Sequence, residues 1–177
     1  MLRASVQIIA GGYATFLFVV ALAKLDGWQV WSASVAEWLP VGLPIRAVCI
    51  AVPAIEVLTA VLLLLAPATG LLAAAALLGV FGGGVLLLSR RAQGKDCGCF
   101  GTLLPSRIGR GLAVRNLLLA AVAAVAGLLA GRATVPGLSP PAILLFALLG
   151  ALLVLGGEAR RTSQLLRRPA GEEGGSG

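Results

Sequence analysis

The sequence has no histidine and is poor in charged and aromatic residues. Of its 177 residues, 12% are charged, 5% are aromatic and 59% are apolar, and the mean hydropathy is +1.00. A soluble domain is typically about 45–50% apolar and about 25% charged. The absence of histidine excludes Ser-His-Asp triads and histidine-ligated metal sites. The apolar excess, together with 24 glycines, indicates helices that pack closely within a lipid bilayer.

Basic residues outnumber acidic ones, and the formal net charge is +7. Such a balance could serve a nucleic-acid-binding surface. Here the Lys and Arg residues alternate with long apolar runs and form no continuous basic face. We therefore predict no nucleic acid partner and interpret these charges as determinants of membrane topology.

Five apolar runs predict the architecture. A bilayer core of about 30 Å requires roughly 20 helical residues, and the first four runs reach that length. The fifth, Ala142–Leu155, reaches it only by including the flanking prolines and glycines of 140–157. We predict an all-α integral membrane protein, a four-helix transmembrane bundle with a fifth span and a basic, then flexible, tail. The predicted spans are 6–23, 43–66, 70–88, 112–130 and 140–157, and the tail is 158–177.

The first run, 6–23, could also be the core of a signal peptide. It is longer than the usual core of about 7–15 residues, and Arg3 alone is a small basic segment before it. We therefore expect this run to be a membrane span.

All three tryptophans lie in one short segment between the first two runs. Trp28, Trp31, Val35 and Trp38 are spaced to share one face of a helix. Because tryptophan favours the level of the lipid headgroups, residues 27–38 are predicted to form a short helix in the membrane interface. An extended loop with anchoring aromatic residues is the alternative.

With five spans, twelve of the 14 Lys and Arg residues lie on one membrane face. The positive-inside rule places that face in the cytoplasm, together with the loop at 89–111 and the C-terminal tail. Only Arg3 and Arg132 lie on the other face. The twelve are Lys24, Arg46, Arg90, Arg91, Lys95, Arg107, Arg110, Arg115, Arg160, Arg161, Arg167 and Arg168.

The loop at 89–111 contains a Cys-Gly-Cys motif, Cys97 to Cys99. Cysteines at this spacing can form a strained disulfide, and strained, exposed disulfides exchange readily. The basic residues Lys95, Arg107 and Arg115 favour the reactive thiolate form. We interpret the motif as a redox pair. Two reduced structural cysteines are an alternative, as is a site for Cu(I) or Zn(II), although that site would lack histidine and a second cysteine pair.

Other candidate residues lie at helix ends on the same face. Cys49 is about 9 Å into the second run, while Lys24 and Asp26 end the first run and Arg115 is near the start of the fourth. Cys49 is either a third exchanging thiol or a packing residue.

Glu56 is predicted near the middle of the membrane. An ionisable group at that depth costs at least about 2.5 kcal/mol and normally faces a partner or a cavity. Glu56 either pairs with Lys24 or Arg115 to stabilise the bundle, or carries a proton during thiol exchange.

Four stretches of the sequence resemble the MauE branch of the MauE/DoxX family, a group of redox-associated bacterial membrane proteins. They are "ALAKLDGW", "AVPAIEVLTAVLLLL", "DCGCFG" and "AVRNLLLA", and the resemblance covers about residues 5–130. It implies a four-helix bundle in a bacterial cell membrane, working beside a thioredoxin-like partner in forming or maintaining disulfides of exported proteins. It also implies that Cys97 and Cys99 are the redox pair. The recurring polar positions of the family correspond to Lys24, Glu56, Arg115 and Asn116.

The chain departs from this family pattern in its fifth apolar run, its basic tail and Cys49.

The implied partners work outside the cytoplasm, whereas the charge rule places the Cys-Gly-Cys loop inside. Three explanations stay open: the protein passes reducing equivalents across the membrane, the loop is reached from both faces, or the charge bias does not set the orientation of this chain. The sequence requires no cofactor, and a membrane quinone is one candidate for the electron source or acceptor. We expect a thiol–disulfide oxidoreductase, with a soft-metal carrier or a non-catalytic assembly subunit as the alternatives.

Overall fold

The computed structural model describes residues 2–38, 44–88, 109–133 and 135–166. Within these ranges the chain forms six α-helices and no strand, which confirms the all-α prediction. Cys97, Cys99 and most of the predicted redox loop lie outside the described residues, as does the tail from 167 onwards. The helices are α1 Leu2–Asp26, α2 Trp28–Trp38, α3 Ile45–Leu65, α4 Pro67–Leu88, α5 Arg110–Ala133 and α6 Pro140–Leu166.

Four helices are long and apolar enough to cross a membrane, namely α1, α3, α4 and α5. Their outward faces carry large apolar side chains such as Leu58, Val80 and Leu118, each well over half exposed. These faces suit lipid, and helices of this kind satisfy their backbone hydrogen bonds internally, as a bilayer demands. The protein is therefore a multi-pass membrane protein, as predicted.

Helices α4 and α5 are antiparallel and pack closely through glycines. A Cβ atom added to Gly82 would lie 2.8 Å from the side chain of Leu117, and one added to Gly127 would lie 3.0 Å from that of Leu72. Small residues at these points let the two helices approach, as is common in membrane bundles. The segment that joins α4 to α5 therefore leaves and returns at the same end of the bundle.

Helix α6 lies beside α1 and runs in the same direction. Gly11 faces the ring of Phe146, and one turn further along both helices Thr15 faces Gly150. The Thr15 hydroxyl also lies 3.2 Å from the carbonyl oxygen of Phe146. The apolar part of α6, Pro140–Gly156, is shorter than the four candidate spans. A fifth crossing of the membrane stays a prediction.

The two ends of the bundle can be distinguished by their contacts. At one end the Leu138 amide donates to the carbonyl of Leu64, 2.9 Å away, and ties the start of α6 to the end of α3. At the other end α1 and α4 finish and α3 and α5 begin. We call this second end the loop end, because residues 89–108 connect α4 to α5 there.

The tryptophan-bearing helix α2 follows α1 after a single residue, Gly27. In a helix that lies in the membrane interface, the tryptophans would be expected to face outward. In α2 they do not all do so. Trp31 and Val35 are buried against the first turns of α3, whereas Trp28 is partly exposed. The reason is spacing: residues 31 and 35 are one turn apart and present a single apolar ridge, which packs against Val48 and Val52.

Candidate functional site

The most polar part of the bundle interior is an ion pair between Lys24 of α1 and Glu56 of α3. The Lys24 ammonium donates a hydrogen bond to Glu56 Oε1, and the two side chains are only 2% and 1% exposed. Glu56 is about 16 Å along α3 by helical rise, close to its midpoint. The sequence is compatible with either Lys24 or Arg115 as the partner of Glu56, and the structure pairs Glu56 with Lys24.

Two aromatic rings surround the ammonium group. Lys24 Nζ lies 5.3 Å from the centre of the Trp31 ring and 5.6 Å from that of the Phe81 ring. A cation within about 6 Å of a ring centre is attracted by the negative face of the ring. Lys24, Glu56, Trp31 and Phe81 therefore form one layer, contributed by α1, α2, α3 and α4, which we call the ion-pair layer.

Asn116 lies at about the same height as this layer. It precedes Leu117, which packs against Gly82, the residue that follows Phe81. The Asn116 side chain is also buried, with 4% exposed. Three of the polar positions implied by the family resemblance thus lie at one level of the bundle interior.

The second carboxylate oxygen of Glu56 differs from the first. Glu56 Oε2 is buried and, within the part of the chain that the structure describes, has no hydrogen-bond partner. A buried acceptor normally finds a donor, often an ordered water. The carboxylate can therefore hold Lys24 with one oxygen and accept a proton or a further donor with the other.

Cys49 lies on the same face of α3 as Glu56, two turns closer to the loop end. Its thiol is free and completely buried, packed with Trp31 and Val35. The separation along the helix is about 10 Å, so Cys49 does not touch the Lys24–Glu56 pair. Trp31 contacts both, because its ring lies over Lys24 and its indole Nε1 donates to the Cys49 carbonyl oxygen at 3.2 Å.

The other predicted site residues do not join this interior cluster. The side chains of Asp26 and Arg115 are exposed near the loop end of α1 and α5, and each makes contacts there. Cys97 and Cys99 lie outside the described residues, but the helices that carry their loop are described. Leu88 ends α4 about 10 Å beyond Phe81, and Arg110 begins α5 about 10 Å before Leu117.

The loop that carries the cysteine pair is therefore attached at the end of the bundle where Cys49 lies. Within residues 2–38, 44–88, 109–133 and 135–166, no cluster of three or more Cys, Asp or Glu side chains is arranged to hold a metal ion.

Two members of the ion-pair layer, Trp31 and Phe81, are not among the predicted site residues. Phe81 had no distinguishing signal in a run of apolar residues. The preference of tryptophan for the headgroup level does not predict what Trp31 packs against, although Pro53 indicates a partner. A proline cannot donate to the carbonyl four residues earlier, and four residues before Pro53 is Cys49, whose carbonyl accepts from Trp31.

These features define a class: a small, multi-pass helical membrane protein with a buried ion pair, and with a free thiol near the end that carries its cysteine-containing loop. The model of one protein family, described as methylamine utilisation protein MauE, matches residues 2–130. That is well over half of the chain, so the chain belongs to the MauE family, as the sequence motifs predicted. No curated protein and no solved structure matches the chain.

Proposed function

We propose that this protein is a membrane-embedded thiol–disulfide oxidoreductase. Cys97 and Cys99 would exchange electrons with a thioredoxin-like partner and so support disulfide formation or reduction in exported proteins. One structural observation carries the proposal: the loop with both cysteines is attached at the bundle end where the buried thiol of Cys49 lies. Membership of the MauE family is consistent with a redox-associated role in the membrane.

The chemistry requires a thiolate and a disulfide. A thiolate on one protein attacks a sulfur of the disulfide on the other, one S–S bond forms as another breaks, and the departing sulfur takes up a proton. The neighbouring cysteine then attacks the mixed disulfide and releases the partner. In total two electrons and two protons pass between the two proteins, so one cysteine pair is oxidised while the other is reduced.

The remaining candidate residues would support this exchange. Cys49 would act as a third thiol that exchanges with Cys97 or Cys99. The Lys24–Glu56 pair would hold α1 against α3 two helical turns from Cys49. Of the two buried polar side chains of α3, Glu56 lies nearer to Cys49 than Thr59 does, and its Oε2 is without a hydrogen-bond partner in the described part of the chain. With no histidine in the chain, a carboxylate is the natural proton acceptor within the membrane.

Acid-quenched differential alkylation in native membranes tests the proposal. Free thiols are labelled first, disulfides are then reduced and labelled with a heavier reagent, and peptide mapping assigns each label. We expect a Cys97–Cys99 disulfide, or a bridge from Cys49 to one of them, whose occupancy changes with added reductant. Three free thiols under oxidising and reducing conditions alike would overturn the proposal.

Single substitutions should trap the partner. In a protein that also carries Cys49→Ser, Cys97→Ser and Cys99→Ser each leave a single loop thiol, and the variant that keeps the attacking thiol cannot resolve its mixed disulfide. We expect one of the two variants to accumulate a reductant-sensitive adduct with a thioredoxin-like protein, identified by mass spectrometry. The double variant is the matched control and should form no such adduct.

A further inference from the structure

Cys49 has an unusual backbone environment, set by Pro53. In an α-helix the carbonyl of each residue accepts from the N–H four residues later. Pro53 lies in the interior of α3 and has no N–H. The Cys49 carbonyl therefore lacks the helical donor that its neighbours have, in a segment where water is scarce.

Trp31 supplies the missing donor from another helix. Its indole Nε1 lies 3.2 Å from the Cys49 carbonyl oxygen, within hydrogen-bonding range, and the side chain is 2% exposed. The bond connects α2 to α3 at the residue that carries the thiol. Unlike an intrahelical bond, it can break without unwinding α3.

The same contact covers the thiol. Cys49 is completely buried in a cluster with Trp31 and Val35, both of which belong to α2. Only Gly27 separates α2 from α1, whereas residues 39–43 separate α2 from Pro44, the residue before α3. Side-chain contacts of Trp31 and Val35 hold α2 over Cys49, and the indole hydrogen bond is one of them.

We infer that Trp31 is the positioning residue of the Cys49 thiol. Its indole N–H bonds the carbonyl that Pro53 leaves without a donor, holds α2 over the sulfur, and keeps that sulfur from reacting until α2 moves away. This covering of the Cys49 sulfur by Trp31 and α2, which we call the shield, does not depend on whether Cys49 takes part in disulfide exchange. The further statement that the shield controls disulfide exchange rests on the proposed function.

The first test measures how fast Cys49 is alkylated. In a protein with Cys97→Ser and Cys99→Ser, Cys49 is the only thiol, and its reaction with N-ethylmaleimide in native membranes is followed by intact mass. Trp31→Phe keeps an aromatic ring but removes the indole N–H. Loss of one hydrogen bond of this kind should raise the alkylation rate about 3- to 10-fold. Trp28→Phe, on the partly exposed side of the same helix, is the matched control and should leave the rate unchanged.

Pro53→Ala distinguishes the specific bond from a general loosening of α2. Alanine restores an N–H that can bond the Cys49 carbonyl within α3, so the carbonyl no longer depends on Trp31. In that background Trp31→Phe should raise the rate less than about 2-fold, and such non-additivity is the sign of a direct coupling. An unchanged rate in Trp31→Phe, or the same increase with and without Pro53, would overturn the inference.

A second measurement needs no substitution at position 31. The protein has three tryptophans, so ¹⁵N-indole spectra in detergent micelles are simple, and Trp28→Phe and Trp38→Phe assign the signals. The Trp31 indole proton should exchange with deuterium at least about 10-fold more slowly than that of Trp28, because it is buried and bonded. Equal exchange rates would contradict the inference even if Trp31→Phe failed to fold.

The outcomes for the shield and for the exchange function can be told apart. If Trp31→Phe speeds alkylation but Cys49 never enters a disulfide in the unmodified protein, the shielding stands and Cys49 takes no part in exchange. If Cys49 does form disulfides and Trp31→Phe leaves its alkylation rate unchanged, the exchange stands and Trp31 has no positioning role.

Discussion

Lys24 and Glu56 are opposite charges buried in an apolar bundle, and the contribution of each depends on the other. Removing charges from water is costly, and the attraction within the pair offsets that cost only while both partners are present. The pair also accounts for one ring contact of Trp31. The ion pair therefore links α1, α2 and α3, and replacing either residue alone should lower the stability of the bundle.

We predict opposite results for single and double replacement of this pair. Lys24→Met or Glu56→Leu leaves a buried charge without its partner and should lower the free energy of unfolding by about 3–5 kcal/mol. The double variant removes both charges and should recover most of that loss. Denaturant unfolding in detergent micelles measures all three, with lipid-facing Leu58→Met as the control.

Additive effects of the two substitutions would contradict this prediction. The variant Glu56→Gln adds a further distinction, because an amide keeps the shape of the side chain but cannot carry a proton. If that variant were normally stable yet had lost thiol turnover, Glu56 would be a proton carrier and not a stabilising partner.

Small side chains determine how closely two neighbouring helices can approach each other. Gly82 brings α4 against Leu117 of α5, and Gly11 brings α1 against Phe146 of α6. Neighbouring Gly83 and Gly12 have open space at the same point. Because association of helices in lipid depends on close van der Waals packing, the position of a glycine matters more than the number of glycines in the helix.

The pair Gly82 and Gly83 allows a matched test of this argument. Valine at 82 would overlap the side chain of Leu117 and come within 3.2 Å of its backbone nitrogen. Overpacking of this kind should cost about 1–3 kcal/mol of unfolding free energy. Gly83→Val makes the same chemical change in the same helix without a contact, so it should cost clearly less. Equal unfolding midpoints for the two variants in a denaturant titration would refute the close approach of α4 and α5.

The orientation of the whole molecule in the membrane is predicted by its charges. Twelve of 14 basic residues lie on the face that carries the cysteine loop when five spans are assumed. Helix α5 offers two probes of this orientation. Gly111 and Gly131 are exposed, have no atom within 4 Å of an added Cβ, and are about 30 Å apart along the helix, close to the thickness of a bilayer core.

We predict that cysteines at these two positions are labelled from opposite sides. In a background with Ser at 49, 97 and 99, a membrane-impermeant maleimide should label Gly131→Cys in intact spheroplasts. It should label Gly111→Cys only after the membrane is made permeable. The reverse pattern would place the cysteine loop outside the cytoplasm, on the side where the proposed thioredoxin-like partner would meet exported proteins.

The helical bundle could be predicted largely from sequence, whereas the interior of the site could not. Runs of about 20 apolar residues predict helices whatever their neighbours are, because bilayer thickness sets that length. The sequence does not distinguish Lys24 from Arg115 as the partner of Glu56, because contacts between helices decide it. The preference of tryptophan for the headgroup level predicts a short interfacial helix, but it does not predict that Trp31 and Val35 pack against α3.

Apolar run length and short motifs are local properties, so they are enough to predict a multi-pass helical membrane protein of the MauE family. Contacts between helices decide that Lys24 meets Glu56, that Trp31 covers Cys49, and that α6 lies beside α1. The physical reason is that these helices are apolar on nearly every side. Hydrophobic periodicity then cannot show which face is buried, and that choice depends on small residues and a few polar contacts between helices.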